Sequence, residues 1–285
     1  MTCSNKHLVL IDSGIGGLTT LQLIARHFTN LEFTYIADKY YYPYTEKTDD
    51  QLKQRLYRLV SYVEKNYAPD LIVIACNTAA TLALPYLQQN AAVPLVGVYP
   101  ALERAAAMTQ TKKIALLATP ATLARDFIQH SIARLESDLG VSTIQLGSLE
   151  LIELAERKLS VGKAKLSDIA SIIKPLFTEP DHRQIDKPVD IAVLGCTHFP
   201  WLVEEFEFAA RQAQQKIHWL DSNELIIDEL TQIIPHHFSD PGFDHCLLYK
   251  AFLVTSARTD SGAISPILAK NLKDMGFVES KEVVV

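Results

Sequence analysis

The chain has 285 residues, 48% of them apolar and 21% charged, with a net charge of −6. That length fits two domains of moderate size, each with a real core. The acidic balance, with no Lys/Arg cluster to displace counterions, excludes direct nucleic-acid binding and adhesion to a membrane surface.

The opening segment MTCSNKHLVLIDSG passes from a short β-like run into a turn. It lacks the charged n-region, long apolar h-region and small-residue cleavage site of a signal peptide. No later stretch approaches the roughly 18 apolar residues of a membrane helix. A cytoplasmic location with reduced thiols is therefore expected. Strands are predicted at residues 8–11, 33–37, 71–75, 95–98, 114–118, 142–146, 191–195, 217–220 and 247–254. Between them lie amphipathic stretches. Across residues 50–66, Leu52, Leu56, Leu59, Val60 and Val63 recur at the three-and-four spacing of one buried helix face. Runs such as LIVIA and IAVLG are apolar throughout, as in parallel strands covered on both sides. The fold class is α/β: two similar domains, each a mainly parallel sheet flanked by helices.

A weak internal repeat supports the pairing of halves. LVLIDSGIGGLTTLQLIARHF and IALLATPATLARDFIQHSI both run strand, small-residue turn, helix, and LIVIACNTAAT matches IAVLGCTHFPW. The first domain is expected to take residues 1–99 with 215–285, carrying Asp12 and Cys76. The second takes 100–214, carrying Thr119 and Cys196.

In open α/β sheets ligands bind at the carboxyl ends of strands. Asp12-Ser13-Gly14, Tyr44-Thr45, Cys76-Asn77-Thr78, Thr119 to Thr122, and Cys196-Thr197-His198 all land there. These hydroxyl, amide and thiol groups suit a small zwitterion whose carboxylates meet helix N-terminal N–H groups. A thiol at a helix N-terminus is biased toward thiolate and can act as a general base. Two such thiols could serve the two faces of one carbon. Taken singly, each cysteine reads as a buried strand-end residue; the matched CNT and CTH contexts reverse that reading in favour of chemistry. Asp12 could simply cap a helix, His198 could cap or pack, and Thr119 and Thr122 could be turn residues. Glu150, Glu153 and Glu156 read most simply as one solvated helix face. Cys3 and Cys246 have no motif around them and read as structural. No CxxC pair is present, and His236-His237 lacks ligand partners at metal spacing. DSGIGG is not the GxGxxG of a dinucleotide site, and no P-loop lysine is found.

The segments DSGIGGL, YIAD, YPYTEK, ACNTAAT, GVYPA, LATPAT, LGSLELIELAERKL and LGCTHFP, in this order, closely resemble glutamate racemases, nearest the proteobacterial branch. The resemblance implies an active site in the cleft between the domains. It also implies interconversion of L-glutamate and D-glutamate for peptidoglycan synthesis, with no cofactor and no metal. On matching positions, Cys76 would exchange the proton with the D-enantiomer and Cys196 with the L-enantiomer. Asp12, His198 and Glu156 correspond to auxiliary groups, with Asp38 a weaker candidate. Ser13, Tyr44, Thr45, Asn77, Thr78, Thr119, Thr122, Thr197 and His198 match substrate-contacting positions, as does Asp12. The family usually has Gly where this chain has Thr45, a poor choice if that position needs positive φ. A homodimer and activation by UDP-N-acetylmuramoyl-L-alanine are further implications. A racemase of aspartate is the nearest alternative enzyme. A binding protein that restrains DNA gyrase, as reported for some relatives, is the alternative from another class.

Overall fold

The computed structural model describes residues 6–28, 31–177, 188–234, 248–256, 264 and 266–285. In chain order the strands are β1 (Lys6–Asp12), β2 (Leu31–Ala37), β3 (Leu71–Ile74), β4 (Leu95–Gly97), β5 (Lys113–Ala118), β6 (Ser142–Gly147), β7 (Ile191–Gly195), β8 (His218–Asp221), β9 (Leu248–Thr255) and β10 (Glu279–Val283). The α-helices are α1 (Leu18–His27), α2 (Asp49–Tyr67), α3 (Asn77–Asn90), α4 (Leu102–Met108), α5 (Pro120–Leu123), α6 (Asp126–Leu139), α7 (Glu150–Val161), α8 (Leu166–Ile173), α9 (Val203–Gln212), α10 (Glu224–Ile233) and α11 (Pro266–Asp274). Cys3, Cys246 and His236-His237 lie outside the described residues. Among the described residues, no helix is long and apolar enough to cross a membrane.

The chain divides into two units, one of Met1–Val98 with Asn223–Val285, the other of Tyr99–Ser222. The first holds a sheet of order β10-β9-β2-β1-β3-β4, the second one of order β6-β5-β7-β8. Every described strand pairing is parallel. The α/β class and parallel sheets read from the apolar runs are present. The shared second-first-third-fourth strand order accounts for the internal repeat. The return crossing differs from the expected Gln215: β8 pairs with β7 in register Ile191↔His218 to Leu194↔Asp221, so the chain leaves the second unit after Ser222. Nothing local in the strand's sequence states which neighbour it will pair with. β10 was not anticipated either. Its sequence ESKEV is exposed apart from its last two positions, so it lacks the apolar run or alternation that marks a strand.

Helix α2 shows how the sequence sets the packing around the first sheet. Thr48 and Gln51 form a capping box at its start. Leu52, Leu56, Leu59, Val60 and Val63 are all buried as the spacing requires. Burying each such side chain contributes about 1.5–3 kcal/mol. Arg55 shares that face and is only 5% exposed. Its Nε donates to both oxygens of Asp38 (3.2 and 3.0 Å), and its Nη2 donates to Oδ1 at 2.6 Å. Asp38, fully buried just beyond β2, also accepts from the hydroxyls of Tyr44 (2.9 Å) and Thr255. One carboxylate thus joins α2, β9 and the turn that carries Tyr44.

Removing one member of a buried pair strands the other charge. Arg55→Met is expected to lower the urea-unfolding free energy by about 3–5 kcal/mol. Asp38→Asn in the same chain is expected to recover part of that loss. Equal stability of wild type and Arg55→Met would contradict this role for the pair.

Candidate active site

In a parallel sheet whose strand order reverses direction, adjacent loops part and leave a crevice at the carboxyl edge. In the first sheet the chain proceeds from β1 to β2 on one side and to β3 on the other. The reversal lies at the ends of β1 and β3, which carry Asp12 and Cys76. In the second sheet it lies at the ends of β5 and β7, which carry Thr119 and Cys196.

Within the first unit, Cys76 is the N-cap residue of α3, in extended conformation and 7% exposed. The fourteen-residue helix begins at Asn77, so its positive end meets the sulfur. The thiol points to Ser13 Oγ at 3.8 Å. Asp12 is fully buried; its Oδ2 accepts from the Gly17 N–H at 2.9 Å and the Tyr35 hydroxyl at 3.2 Å. Asp12 is not the cap of α1, whose N-cap is Gly17 with no side-chain cap hydrogen bond; its carboxylate instead holds the turn that precedes the helix. Asn77 uses its amide to bind the Val98 carbonyl at 3.1 Å, and Thr78 is buried in the same first turn.

The Tyr44–Glu46 turn packs on α3. Tyr44 is 3% exposed and its hydroxyl is committed to Asp38. Burial, Asp38 and Cys76 in turn hold the Tyr44 phenol well above its ordinary ionisation range, so it stays protonated. Thr45 is not strained. The non-glycine residues at positive φ among those described are Ala68, Lys112 and Gln214. The Thr45 hydroxyl oxygen is buried and has no hydrogen-bond partner.

The second unit solves the thiol problem differently. Cys196, also 7% exposed, was expected to open a helix like its counterpart. Instead a turn through Thr197 and His198 leads into a 3-10 helix, Phe199–Leu202, before α9 begins at Val203. Beside the sulfur stands a cation source in place of a long helix. His198 Nδ1 lies 3.9 Å from Cys196 Sγ, and Nε2 lies 3.0 Å from Glu156 Oε1. Burial alone would lower the His198 midpoint, but Cys196 and Glu156 outweigh it and push the imidazole up to about 10. A protonated imidazole beside a cysteine is an established way to favour thiolate. Glu156 therefore parts company with Glu150 and Glu153. Those two are exposed, whereas the Glu156 side chain is 23% exposed and tied to the histidine. Thr119 caps α5: its Oγ1 accepts from Thr122 N–H at 3.0 Å and donates to Thr122 Oγ1 at 2.9 Å. Thr122 and Thr197 are buried beside these strand ends.

The expected residues thus fall into two groups. The first unit gathers Asp12, Ser13, Tyr44, Thr45, Cys76, Asn77 and Thr78; the second gathers Thr119, Thr122, Glu156, Cys196, Thr197 and His198. Asp38 stands behind Tyr44. Sequence reasoning missed Arg55, Tyr35 and Thr255. Only Arg55 left a signal, as a charge between Leu52 and Leu56 on an apolar face.

A family model described as Asp/Glu/Hydantoin racemase matches residues 18–230. The glutamate racemase of Haemophilus ducreyi is 36% identical over 229 residues, 80% of this chain and 82% of that protein. That of Salmonella paratyphi A is 39% identical over 198 residues, 70% of this chain and 67% of that protein. The crystal structure of Escherichia coli glutamate racemase, in complex with L-glutamate and the activator UDP-MurNAc-Ala, superposes with a TM-score of 0.83. It is 30% identical, with 99% of each chain covered.

The raised His198 midpoint carries a sign that can be checked. Its stabilisation is complete below the ordinary value of 6.5 and is lost as pH rises through about 10. Glu156→Gln should therefore be less stable than wild type at low pH, with the gap closing across that interval. Urea unfolding from about pH 6 to about pH 10 measures it. A gap that does not change with pH would contradict the pairing.

Proposed function

The chain belongs to the Asp/Glu/Hydantoin racemase family, on its glutamate racemase branch, and from that premise we propose that this isomerase moves the α-proton of glutamate between two cysteine thiols. Inversion at one carbon needs a base on one face and an acid on the other. The observation that carries the reading is a cysteine at the switch point of each sheet, Cys76 at the start of α3 and Cys196 beside His198. Cys76 exchanges the proton with D-glutamate and Cys196 with L-glutamate. One starts as thiolate and the other as thiol, and the roles swap with substrate handedness. His198, oriented by Glu156, supports the Cys196 thiolate; Asp12 serves the Cys76 side and the substrate ammonium. Ser13, Asn77, Thr78, Thr119, Thr122 and Thr197 supply short polar contacts. No cofactor or metal enters the reaction.

Tyr44 has no hydroxyl proton to spare, so its contribution is its ring and backbone. Thr45, with its buried, unpartnered hydroxyl, offers a donor to a substrate carboxylate that glycine lacks. D-Glutamate made here supplies peptidoglycan synthesis. The Escherichia coli complex supports a response to UDP-MurNAc-Ala, and the active form is a homodimer.

Circular dichroism of D-glutamate in reducing buffer tests the reading. Wild type should abolish the signal, and Cys76→Ser and Cys196→Ser should each lose racemisation by at least about a hundredfold. Full racemisation by either variant would end the two-thiol reading, and turnover of aspartate alone would end the glutamate assignment. For Thr45, Thr45→Val is expected to raise KM about tenfold with kcat little changed, and Thr45→Ser to restore it. An unchanged KM would remove the hydroxyl from the site.

A further inference from the structure

Tyr35 lies in the middle of the first sheet with no exposed surface, where a phenylalanine would pack as well. Its ring stacks on Phe252 with centroids 5.2 Å apart and planes 2° from parallel. Its hydroxyl, however, reaches the carboxyl edge of the neighbouring strand. It lies 3.2 Å from Asp12 Oδ2 and 3.0 Å from the Gly14 carbonyl oxygen. The same Asp12 oxygen accepts the Gly17 N–H at 2.9 Å. The Gly17 N–H, together with the Tyr35 hydroxyl whose single proton is shared between Asp12 and the Gly14 carbonyl, therefore holds one oxygen of the carboxylate and its rotamer.

The glycine-rich turn is shaped around this hydroxyl. A Cβ built on Gly17 would sit 2.9 Å from the Tyr35 oxygen and 3.0 Å from Ala75 Cβ. Gly17 has ordinary helical φ, so clearance, and not backbone freedom, is the constraint there. Part of the DSGIGG pattern is then the space a tyrosine hydroxyl needs to reach Asp12.

We propose that Tyr35 is a positioning residue for the racemase reaction, acting through Asp12: its hydroxyl holds the carboxylate ionised and aimed toward the Cys76 side of the site. The inference rests on the reading of Asp12 as an auxiliary group. Other ionisable groups at this strand edge include Asp38, held by Arg55, the Tyr44 phenol on Asp38, and the Cys76 thiol; Tyr35→Phe leaves them in place.

The test uses the full chain with Tyr35→Phe and two readouts. The first is a titration of the Asp12 carboxyl carbon by NMR, assigned with Asp12→Asn, which does not depend on activity. Its midpoint is expected to rise by about one pH unit. The second is the pH profile of glutamate racemisation. kcat/KM is expected to fall about tenfold, equally from both enantiomers because their equilibrium constant is unity, with the acid limb moved to higher pH. An unmoved Asp12 titration in a folded variant would overturn the proposal. So would activity lost only in proportion to folded protein, with an unchanged profile. If wild type does not racemise glutamate, the functional reading fails and the titration still decides the clamp. Should Tyr35→Phe not fold, Gly17→Ala, whose methyl crowds the hydroxyl, must raise the same midpoint or the proposal falls.

Discussion

A parallel sheet cannot be built from hairpins. Every strand must be re-entered from the same end, so all loops that leave strands gather at one carboxyl edge. In this chain the constraint acts twice, and four strands of the six-stranded sheet repeat the order of the four-stranded one. The carboxyl edge is where backbone carbonyls end and helices begin, and where a short polar side chain can be buried without disturbing a ladder. Asp12, Cys76, Thr119 and Cys196 all occupy that position at the reversal of strand order. Their burial, at most 7% exposure, follows from the close packing of helices over strands buried on both faces.

Repetition of the frame has not produced repetition of the surroundings of the two cysteines. Cys76 sits at the N-terminus of a fourteen-residue α-helix, whose dipole is fixed and independent of pH. Cys196 opens onto a 3-10 turn and lies beside a histidine that is hydrogen-bonded to a glutamate. The surroundings of the first cysteine are therefore backbone, and those of the second a His–Glu pair. The buried hub at Asp38 adds a third element: it locks the Tyr44 turn to α2 and β9.

Much of this could be read from residue order alone. The α/β class followed from apolar runs and helical spacing. The two cysteines stood out because polar residues followed each at a strand end. What escaped was whatever depended on a partner remote in sequence. β8 belongs to the second sheet because of β7, which no property of its own residues announces. β10 is too exposed to show a pattern. Tyr35 looks like an ordinary strand aromatic until its hydroxyl is seen beside Asp12. By spacing alone Glu156 reads like Glu150 and Glu153; only the resemblance singles it out, and the physical difference is its bond from α7 to His198.

The central claim is that two different monoprotic groups share one proton transfer. It is tested most directly by racemising D-glutamate in deuterium oxide and stopping at low conversion. The expected result is deuterium at the α-carbon of nearly all the L-glutamate formed, with the recovered D-glutamate still protiated. L-Glutamate that keeps the original proton would mean a single base returning it to the opposite face, and would contradict the two-thiol account.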